Sequence, residues 1–290
     1  MISVPDMPAH ELQEPIVEPE SRTVVAGDLD VHYLELGRGT PLLLLHGGTG
    51  TASISWDIPF ATMSERWRLI APDTRAHGGT TNPAGYLTYG QMANDVVALI
   101  DALRLEHPVI VGFSDGGQTA LEVALHHQGL ARALVVCGAA SQASPAILHA
   151  VHQFGFSTPG EYDAAAAQAA FGEYYYESLG RIHGDGGPKD RDRLLKQLSS
   201  LWLNPPDYTE NQLRTIADPV LVIAGDRDEL ANLDEQARLY RNIPGAELGI
   251  VPRSSHGAIE RPLFWGMVED FLERTLPDER TANPRTSPPP

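Results

Sequence analysis

Short, wholly apolar runs recur along the chain and alternate with segments in which apolar positions follow a helical period. Apolar runs of this length fit strands that are buried on both faces of a parallel sheet. Before these runs, residues 24–26 and 29–36 predict two strands joined by a hairpin turn at Gly27-Asp28. The predicted strands cover residues 24–26, 29–36, 42–45, 68–71, 108–111, 133–137, 220–224 and 248–251.

Amphipathic segments between these runs predict helices. In residues 91–103 the apolar stripe contains Met92, Val96 and Leu99, and residues 118–127 and 263–276 show the same period. Strands that alternate with helices predict an α/β fold with a doubly wound, mostly parallel sheet.

One long segment departs from this alternation. Between residues 141 and 217 no run resembles a buried strand, whereas residues 164–179 and 191–203 resemble helices. We therefore expect a helical cap at 141–217, inserted into a core formed by 21–140 and 218–276. The terminal segments 1–20 and 277–290 have little to bury, so we expect a disordered arm and a disordered tail.

The composition narrows the class of protein. Of the 290 residues, 42% are hydrophobic and 20% are charged, which suits a folded domain with a large core. The net charge of −17 argues against nucleic acid as a partner, because phosphate binding needs clustered Lys and Arg. No apolar run could span a bilayer, the acidic N-terminus lacks a secretory h-region, and Cys137 is the single cysteine. We expect a cytoplasmic protein without membrane contact.

The segment Gly112-Phe113-Ser114-Asp115-Gly116 follows a predicted strand and precedes a predicted helix. This is the G-x-S-x-G pattern in the strand–turn–helix setting that projects the serine hydroxyl from the carboxyl edge of a sheet. The flanking glycines leave room where a side chain would collide. The pattern predicts a nucleophilic Ser114, and the alternative is a serine that only caps the helix.

A nucleophilic serine needs a histidine as its base and an acid that orients the histidine. Of the eleven histidines, His256 follows the last predicted strand in a compact Ser-Ser-His-Gly turn. The acid is expected after the strand at 220–224, where spacing allows Asp226 or Asp228. Each aspartate could instead be a turn residue that bonds its own backbone.

An acyl-transfer intermediate carries an oxyanion that needs two fixed hydrogen-bond donors. The backbone N–H of Asp115, the residue after the nucleophile, is the first predicted donor. The glycine-rich loop at 46–50 follows the strand at 42–45, and its glycines allow a ligand close to the backbone. Gly48 N–H is the second predicted donor, with Thr49 N–H as the neighbouring alternative.

These motifs together resemble the α/β-hydrolase superfamily over residues 22–276. The similar pieces are His-Gly-Gly at 46–48, Asp-Thr-Arg-Ala-His-Gly at 73–78, the Ser114 turn, Gly-Asp-Arg-Asp at 225–228, and His256. The resemblance implies an α/β-hydrolase fold: a mostly parallel eight-stranded sheet, helices on both faces and an inserted helical cap. Members commonly place the acid fourth in a G-x-x-D stretch, which favours Asp228.

Two departures from common members accompany this resemblance. The loop at 73–78 has Ala76 where members commonly have glycine, which concerns structure rather than chemistry. The serine nucleophile separates the chain from the epoxide hydrolases and haloalkane dehalogenases of the superfamily, which use aspartate there.

The Ser-Asp-Gly-Gly form of the turn is similar to that of amino-acid ester hydrolases related to valacyclovir hydrolase. In that group the aspartate after the serine binds the substrate's α-amino group, so the resemblance assigns this role to the Asp115 side chain. The alternative is a carboxylate that only stabilises the first helical turn. Aromatic residues of the cap are further candidates for the pocket: Trp202 and Tyr175 first, with Tyr174, Tyr176, Phe154 and Phe156.

The leading hypothesis is hydrolysis of a small-molecule carboxylic ester or lactone through an acyl-enzyme on Ser114. One alternative is a pathway enzyme that hydrolyses a C–C bond, cyclises its substrate or catalyses perhydrolysis, and another is a small-molecule receptor. No Cys/His spacing predicts a metal site and no glycine loop has the dinucleotide pattern, so we expect no cofactor. The sequence leaves the oligomeric state open.

Overall fold

A single eight-stranded sheet forms the centre of the computed structural model, which describes residues 18–184 and 186–276. Its order is β1-β2-β4-β3-β5-β6-β7-β8; β2 is antiparallel to both β1 and β4, and all other neighbouring pairs are parallel. The mostly parallel sheet predicted from the apolar runs is confirmed. The strands are β1 (Glu20–Ala26), β2 (Leu29–Leu36), β3 (Pro41–Leu45), β4 (Arg68–Pro72), β5 (Val109–Phe113), β6 (Ala133–Cys137), β7 (Val220–Gly225) and β8 (Glu247–Val251).

Helices connect most of these strands, and a 3₁₀ turn at Ala258–Glu260 precedes the last helix. The helices are α1 (Ala52–Ser55), α2 (Asp57–Met63), α3 (Tyr89–Leu103), α4 (Asp115–His126), α5 (Pro145–Gln153), α6 (Ala164–Phe171), α7 (Glu173–Ile182), α8 (Pro188–Trp202), α9 (Glu210–Leu213), α10 (Leu233–Asn242) and α11 (Pro262–Thr275). Within the described residues, none of them combines the length and apolar character needed to cross a membrane.

Helices cover both faces of the sheet. Alternate residues of each central strand point to opposite faces, so each strand packs against helices on both sides. On one face Leu43 and Ile110 pack among apolar side chains of α3 and α4. On the other face Leu44 and Val111 pack against aromatic residues of α2 and α11. Full burial of such a side chain stabilises the fold by about 1.5–3 kcal/mol. Burial on two faces explains why the central strands are apolar at successive positions.

The structure differs from the sequence-based prediction in two places. The stretch predicted as one helix at 164–179 forms two, α6 and α7, which are separated by Gly172. Glu20 already belongs to β1, where it pairs with Glu35, so the arm predicted at 1–20 does not include residue 20. Residues 1–17 and 277–290, where the arm and the tail are predicted, lie outside the described residues.

The segment of residues 141–217, here the inserted segment, leaves the sheet after β6 and returns before β7 with helices α5 to α9. Ser141 at its start is bonded to Tyr208 near its end, since Tyr208 N–H donates to the Ser141 carbonyl oxygen at 2.9 Å. The Arg238 guanidinium of α10 donates to the carbonyl oxygens of both residues. Glu235 of α10 accepts the Ser141 hydroxyl at 2.7 Å. The segment thus leaves and rejoins the core at one hydrogen-bonded base.

Candidate active site

Ser114 occupies the sharp turn between β5 and α4. Its backbone has φ 54° and ψ −117°. Such a conformation costs a non-glycine residue roughly 1–3 kcal/mol and is concentrated at functional sites. The turn is close to the neighbouring strand, because a Cβ on Gly116 would collide with the Leu45 carbonyl oxygen. The Ser114 side chain makes no capping hydrogen bond to α4, so the geometry does not favour the N-cap alternative.

His256 lies between Ser114 and Asp228. Its Nε2 is 2.9 Å from Ser114 Oγ, and its Nδ1 is 2.9 Å from Asp228 Oδ2. Because Nδ1–H donates to the carboxylate, Nε2 carries the lone pair that can accept the serine proton. The turns after β7 and β8 supply the acid and the histidine, and β5 supplies the serine. The structure therefore brings the three predicted catalytic residues into hydrogen-bond contact at the carboxyl edge of the sheet.

The two candidate acids have different surroundings. Asp228 is buried, and its Oδ1 accepts the backbone N–H groups of Leu230 and Ala231, each at 2.9 Å. Asp226 is exposed and accepts Ser254 N–H at 3.0 Å. Hydrogen bonds from the backbone of Arg253 and Ser254 lower the pKa of Asp226. The geometry therefore connects Asp228 to the histidine and gives Asp226 the role of a turn residue.

The glycine-rich loop after β3 lies beside the nucleophile. A Cβ on Gly47 would be 3.0 Å from Ser114 Cβ. A Cβ on Gly48 would collide with the Trp202 ring and with the Asp115 carboxylate, so only glycine fits this position. Gly48, the predicted oxyanion donor, thus lies in a narrow gap near Ser114, and the backbone of Asp115 follows the serine directly.

The Asp115 carboxylate receives hydrogen bonds from two sides. The Tyr89 hydroxyl donates to Oδ1 at 2.8 Å, and the Trp202 indole N–H donates to Oδ2 at 2.9 Å. Burial raises the pKa of Asp115, and the hydrogen bonds from Trp202 and Tyr89 partly offset that rise. The carboxylate thus joins α4 to α8 of the inserted segment. Neither of the two roles weighed from the sequence, amine binding or helix stabilisation, included this connection.

A cavity of about 710 Å³ opens next to Ser114 and His256. Its volume suits a small organic ligand. The wall is mostly apolar and is shared by the edge of the sheet and the inserted segment. The formally negative side chains in the wall are those of Asp115 and Glu260, and none of the described wall residues is Lys or Arg. Apolar wall residues include Ile54, Ile147, Val151, Phe154, Phe171 and Ile182.

The aromatic residues predicted for the pocket divide into two groups. Trp202, Tyr175, Tyr174 and Phe154 line the cavity. The polar atoms of the first two are engaged elsewhere, since the Trp202 indole binds Asp115 and the Tyr175 hydroxyl donates to the Thr49 carbonyl at 2.8 Å. The other two candidates, Tyr176 and Phe156, do not line the cavity. Both are buried inside the inserted segment, where apolar packing holds them.

Three buried histidines lie in or beside the glycine-rich loop, and the sequence predicted no role for any of them. The ring centres of His46 and His77 are 5.1 Å apart, and those of His77 and His183 are 5.3 Å apart. Burial lowers the pKa of His46 to about 4 and the pKa values of His77 and His183 to about 3. All three are therefore neutral near pH 7. Within the described part of the chain, no three His, Cys, Asp or Glu residues are placed to hold a metal ion.

The alpha/beta hydrolase family model matches residues 42–265, a range that includes Ser114, Asp228 and His256. The chain is 27% identical over 264 residues to 3-oxoadipate enol-lactonase 2 of Acinetobacter baylyi, with 87% of this chain and 96% of that protein covered. It is 28% identical over 267 residues to 2-hydroxy-6-oxo-2,4-heptadienoate hydrolase of Pseudomonas putida, with 87% and 95% covered.

Solved structures show the same architecture. A serine hydrolase involved in carbazole degradation superposes with a TM-score of 0.71 at 25% sequence identity, and the match covers 88% of this chain and 99% of that one. The matches extend along nearly the whole length of these similar proteins.

Proposed function

Because this chain belongs to the alpha/beta hydrolase family, we propose that it is a serine hydrolase that cleaves a small-molecule carboxylic ester or lactone through an acyl-enzyme on Ser114. One observation carries the proposal: Ser114, His256 and Asp228 form a continuous hydrogen-bonded chain beside a cavity of about 710 Å³. The strained backbone of Ser114 supports the same role.

The proposed reaction uses each contact in turn. His256 Nε2 takes the proton from Ser114 Oγ as the oxygen attacks the substrate carbonyl carbon. The buried Asp228 carboxylate stabilises the imidazolium that forms and keeps Nε2 directed at the serine. The backbone N–H groups of Gly48 and Asp115 are the proposed donors to the oxyanion. His256 then protonates the leaving alcohol, and a water molecule activated by the same nitrogen releases the acid and regenerates the serine.

Hydrolysis of a C–C bond is the second candidate function. The relative from Pseudomonas putida is named for a 6-oxo-dienoate, a compound with a ketone and no ester. The other relative is named as an enol-lactonase, whose substrate contains a cyclic ester. The proposed triad and oxyanion donors serve both reactions, so the relatives support either one.

The charge of the cavity wall favours substrates that differ in charge from the oxo-dienoate in one relative's name. An oxo-dienoate carries a carboxylate, whereas the wall here contains the carboxylates of Asp115 and Glu260 and no Lys or Arg among the described residues. A buried anion is costly without a cation, and a second anion beside it is repelled. We therefore propose neutral substrates, or substrates whose amine faces Asp115, as the amino-acid ester resemblance implies.

Covalent labelling tests the function directly. A fluorophosphonate should add one equivalent to the wild-type protein by intact mass, and the same protein should turn over short p-nitrophenyl esters. The Ser114→Ala variant should remain folded, unlabelled and inactive. Labelling of that variant to the same extent would remove Ser114 from the mechanism. Labelling of the wild type without steady-state turnover on any ester would favour the receptor or the C–C hydrolase alternative.

A further inference from the structure

Side chains of the inserted segment form hydrogen bonds with the loop that carries the proposed oxyanion donor. The carbonyl oxygen of Thr49, the residue after Gly48, accepts two hydrogen bonds from that segment. The Tyr175 hydroxyl of α7 donates at 2.8 Å, and Nε2 of His183, the residue that follows α7, donates at 2.9 Å. One carbonyl on the loop is therefore held by two side chains of the inserted segment, one in α7 and one directly after it.

The tautomer of His183 follows from its second contact. Its Nδ1 accepts the backbone N–H of Gly78 at 3.1 Å, so Nδ1 must be unprotonated. The ring proton then lies on Nε2 and points at the Thr49 carbonyl oxygen. His183 is 2% exposed, so water does not compete for either nitrogen. Its ring thus bridges two loops of the core through fixed donor and acceptor positions.

The loop itself is under strain at the point where it is held. Thr49 has φ 35°, an unfavourable value for a β-branched residue. Such a conformation persists only where surrounding contacts fix it. Core contacts hold the neighbouring residues, since Gly50 N–H donates to the Gly47 carbonyl at 2.9 Å and Ala52 N–H donates to Asp73 at 2.8 Å. The hydrogen bonds from Tyr175 and His183 hold Thr49 from the side of the inserted segment.

From this geometry we infer that Tyr175 and His183 are positioning residues, which hold the Thr49 carbonyl so that the Gly48 N–H is directed at the reacting carbonyl oxygen. The inference rests on the proposed function, because it concerns the oxyanion donor of that reaction. Neither side chain has to touch the reacting atoms. Loss of both donors frees the loop to relax from its strained turn, and a misdirected donor lowers transition-state stabilisation more than substrate binding.

A matched pair of variants at His183 tests the hydrogen bond to the loop. His183→Leu removes the donor to the Thr49 carbonyl, whereas the glutamine Nε2 in His183→Gln can still donate to it. We expect His183→Leu, combined with Tyr175→Phe, to lower kcat about 10- to 100-fold with KM changed less than threefold, below the cost of deleting an oxyanion donor outright. His183→Gln with Tyr175 intact should retain kcat within about threefold.

A second measurement separates positioning from general stability. A boronic acid that forms a tetrahedral adduct on Ser114 should bind the double variant more weakly by the same factor as the loss in kcat, because the adduct oxygen occupies the oxyanion site. Tyr162→Phe is the matched control. Tyr162 donates to Asp192 within the inserted segment at 2.6 Å, so its loss should lower thermal stability and leave kcat unchanged.

Several outcomes would overturn the inference. They are a folded double variant with kcat within threefold of wild type, a loss confined to KM, or a loss in kcat with unchanged boronic acid affinity. If the double variant does not fold, the single variant His183→Leu provides the test. A kcat of His183→Leu equal to that of His183→Gln would then overturn the inference. Fluorophosphonate labelling of Ser114 in each variant keeps this result distinct from a failure of the proposed function, which would abolish labelling already in the wild type.

Discussion

The side chain of Asp228 offers a sharp test, because the structure fixes how an asparagine would sit there. Oδ1 of Asp228 accepts two backbone N–H groups, from Leu230 and Ala231, and so must remain an oxygen after substitution. In Asp228→Asn the amide NH₂ would therefore occupy the Oδ2 position, 2.9 Å from His256 Nδ1. The amide would donate to Nδ1, and the ring proton would move to Nε2. A protonated Nε2 cannot accept the proton of Ser114.

We expect Asp228→Asn to lower kcat by roughly 10³- to 10⁴-fold, or about 4–5.5 kcal/mol of transition-state stabilisation, with little change in KM. The matched control is Asp226→Asn, two residues away on the same turn, which should retain kcat within about threefold because Asp226 does not contact the histidine. The assay is steady-state hydrolysis of a p-nitrophenyl ester, with thermal unfolding to show that both variants fold. A large loss in Asp226→Asn with a small loss in Asp228→Asn would refute the argument.

Two further predictions concern pH and charge. Burial lowers the pKa values of His46, His77 and His183 below the unfolded value of about 6.5, so their neutral forms stabilise the fold above that pH. That stability is lost as the pH falls towards 3–4, at about 1 kcal/mol per histidine between pH 7 and 5.5. Urea unfolding should show this decline, and His183→Gln should remove about a third of it; an unchanged slope would contradict the assignment. Among matched esters with a neutral, carboxylate or ammonium substituent, the carboxylate should have the lowest kcat/KM. The ammonium should exceed the neutral ester about 10- to 100-fold, a preference that Asp115→Asn should abolish. Equal values for the three esters would show that the wall does not select charge.

Some features follow from local sequence alone. The strands at β3, β5, β6 and β7 are apolar at successive positions because both faces are covered, and such runs can be recognised directly in the amino-acid sequence. The turn at Ser114 is equally local, since its glycines and its serine lie within five residues. Parallel strands also end at one edge of the sheet, which explains why the turns that carry His256 and the two candidate aspartates lie near the serine.

Other features depend on contacts between residues far apart in the chain. Tyr89 and Trp202 meet at Asp115 from positions 26 and 87 residues away, and neither residue type signals a carboxylate partner. Spacing alone left Asp226 and Asp228 open, because both lie in one turn and have the same chemistry, and only the family resemblance favoured Asp228. His183 lacks any local motif and is paired through Thr49, 134 residues before it. Tertiary packing, rather than sequence period, decides these pairings.

These contacts impose a constraint on how the inserted segment could vary. Tyr175 and Trp202 line the cavity with their rings and bind the core with their polar atoms, so each contributes to cavity shape and to the position of the inserted segment. Ile147, Phe154 and Phe171 line the same cavity through apolar atoms only. Substitutions among these three should alter substrate preference through volume, because they leave the hydrogen bonds to Thr49 and Asp115 in place. A change of Tyr175 or Trp202 should alter the cavity shape and these contacts with the core together. Substrate specificity should therefore be easiest to change at Ile147, Phe154 and Phe171.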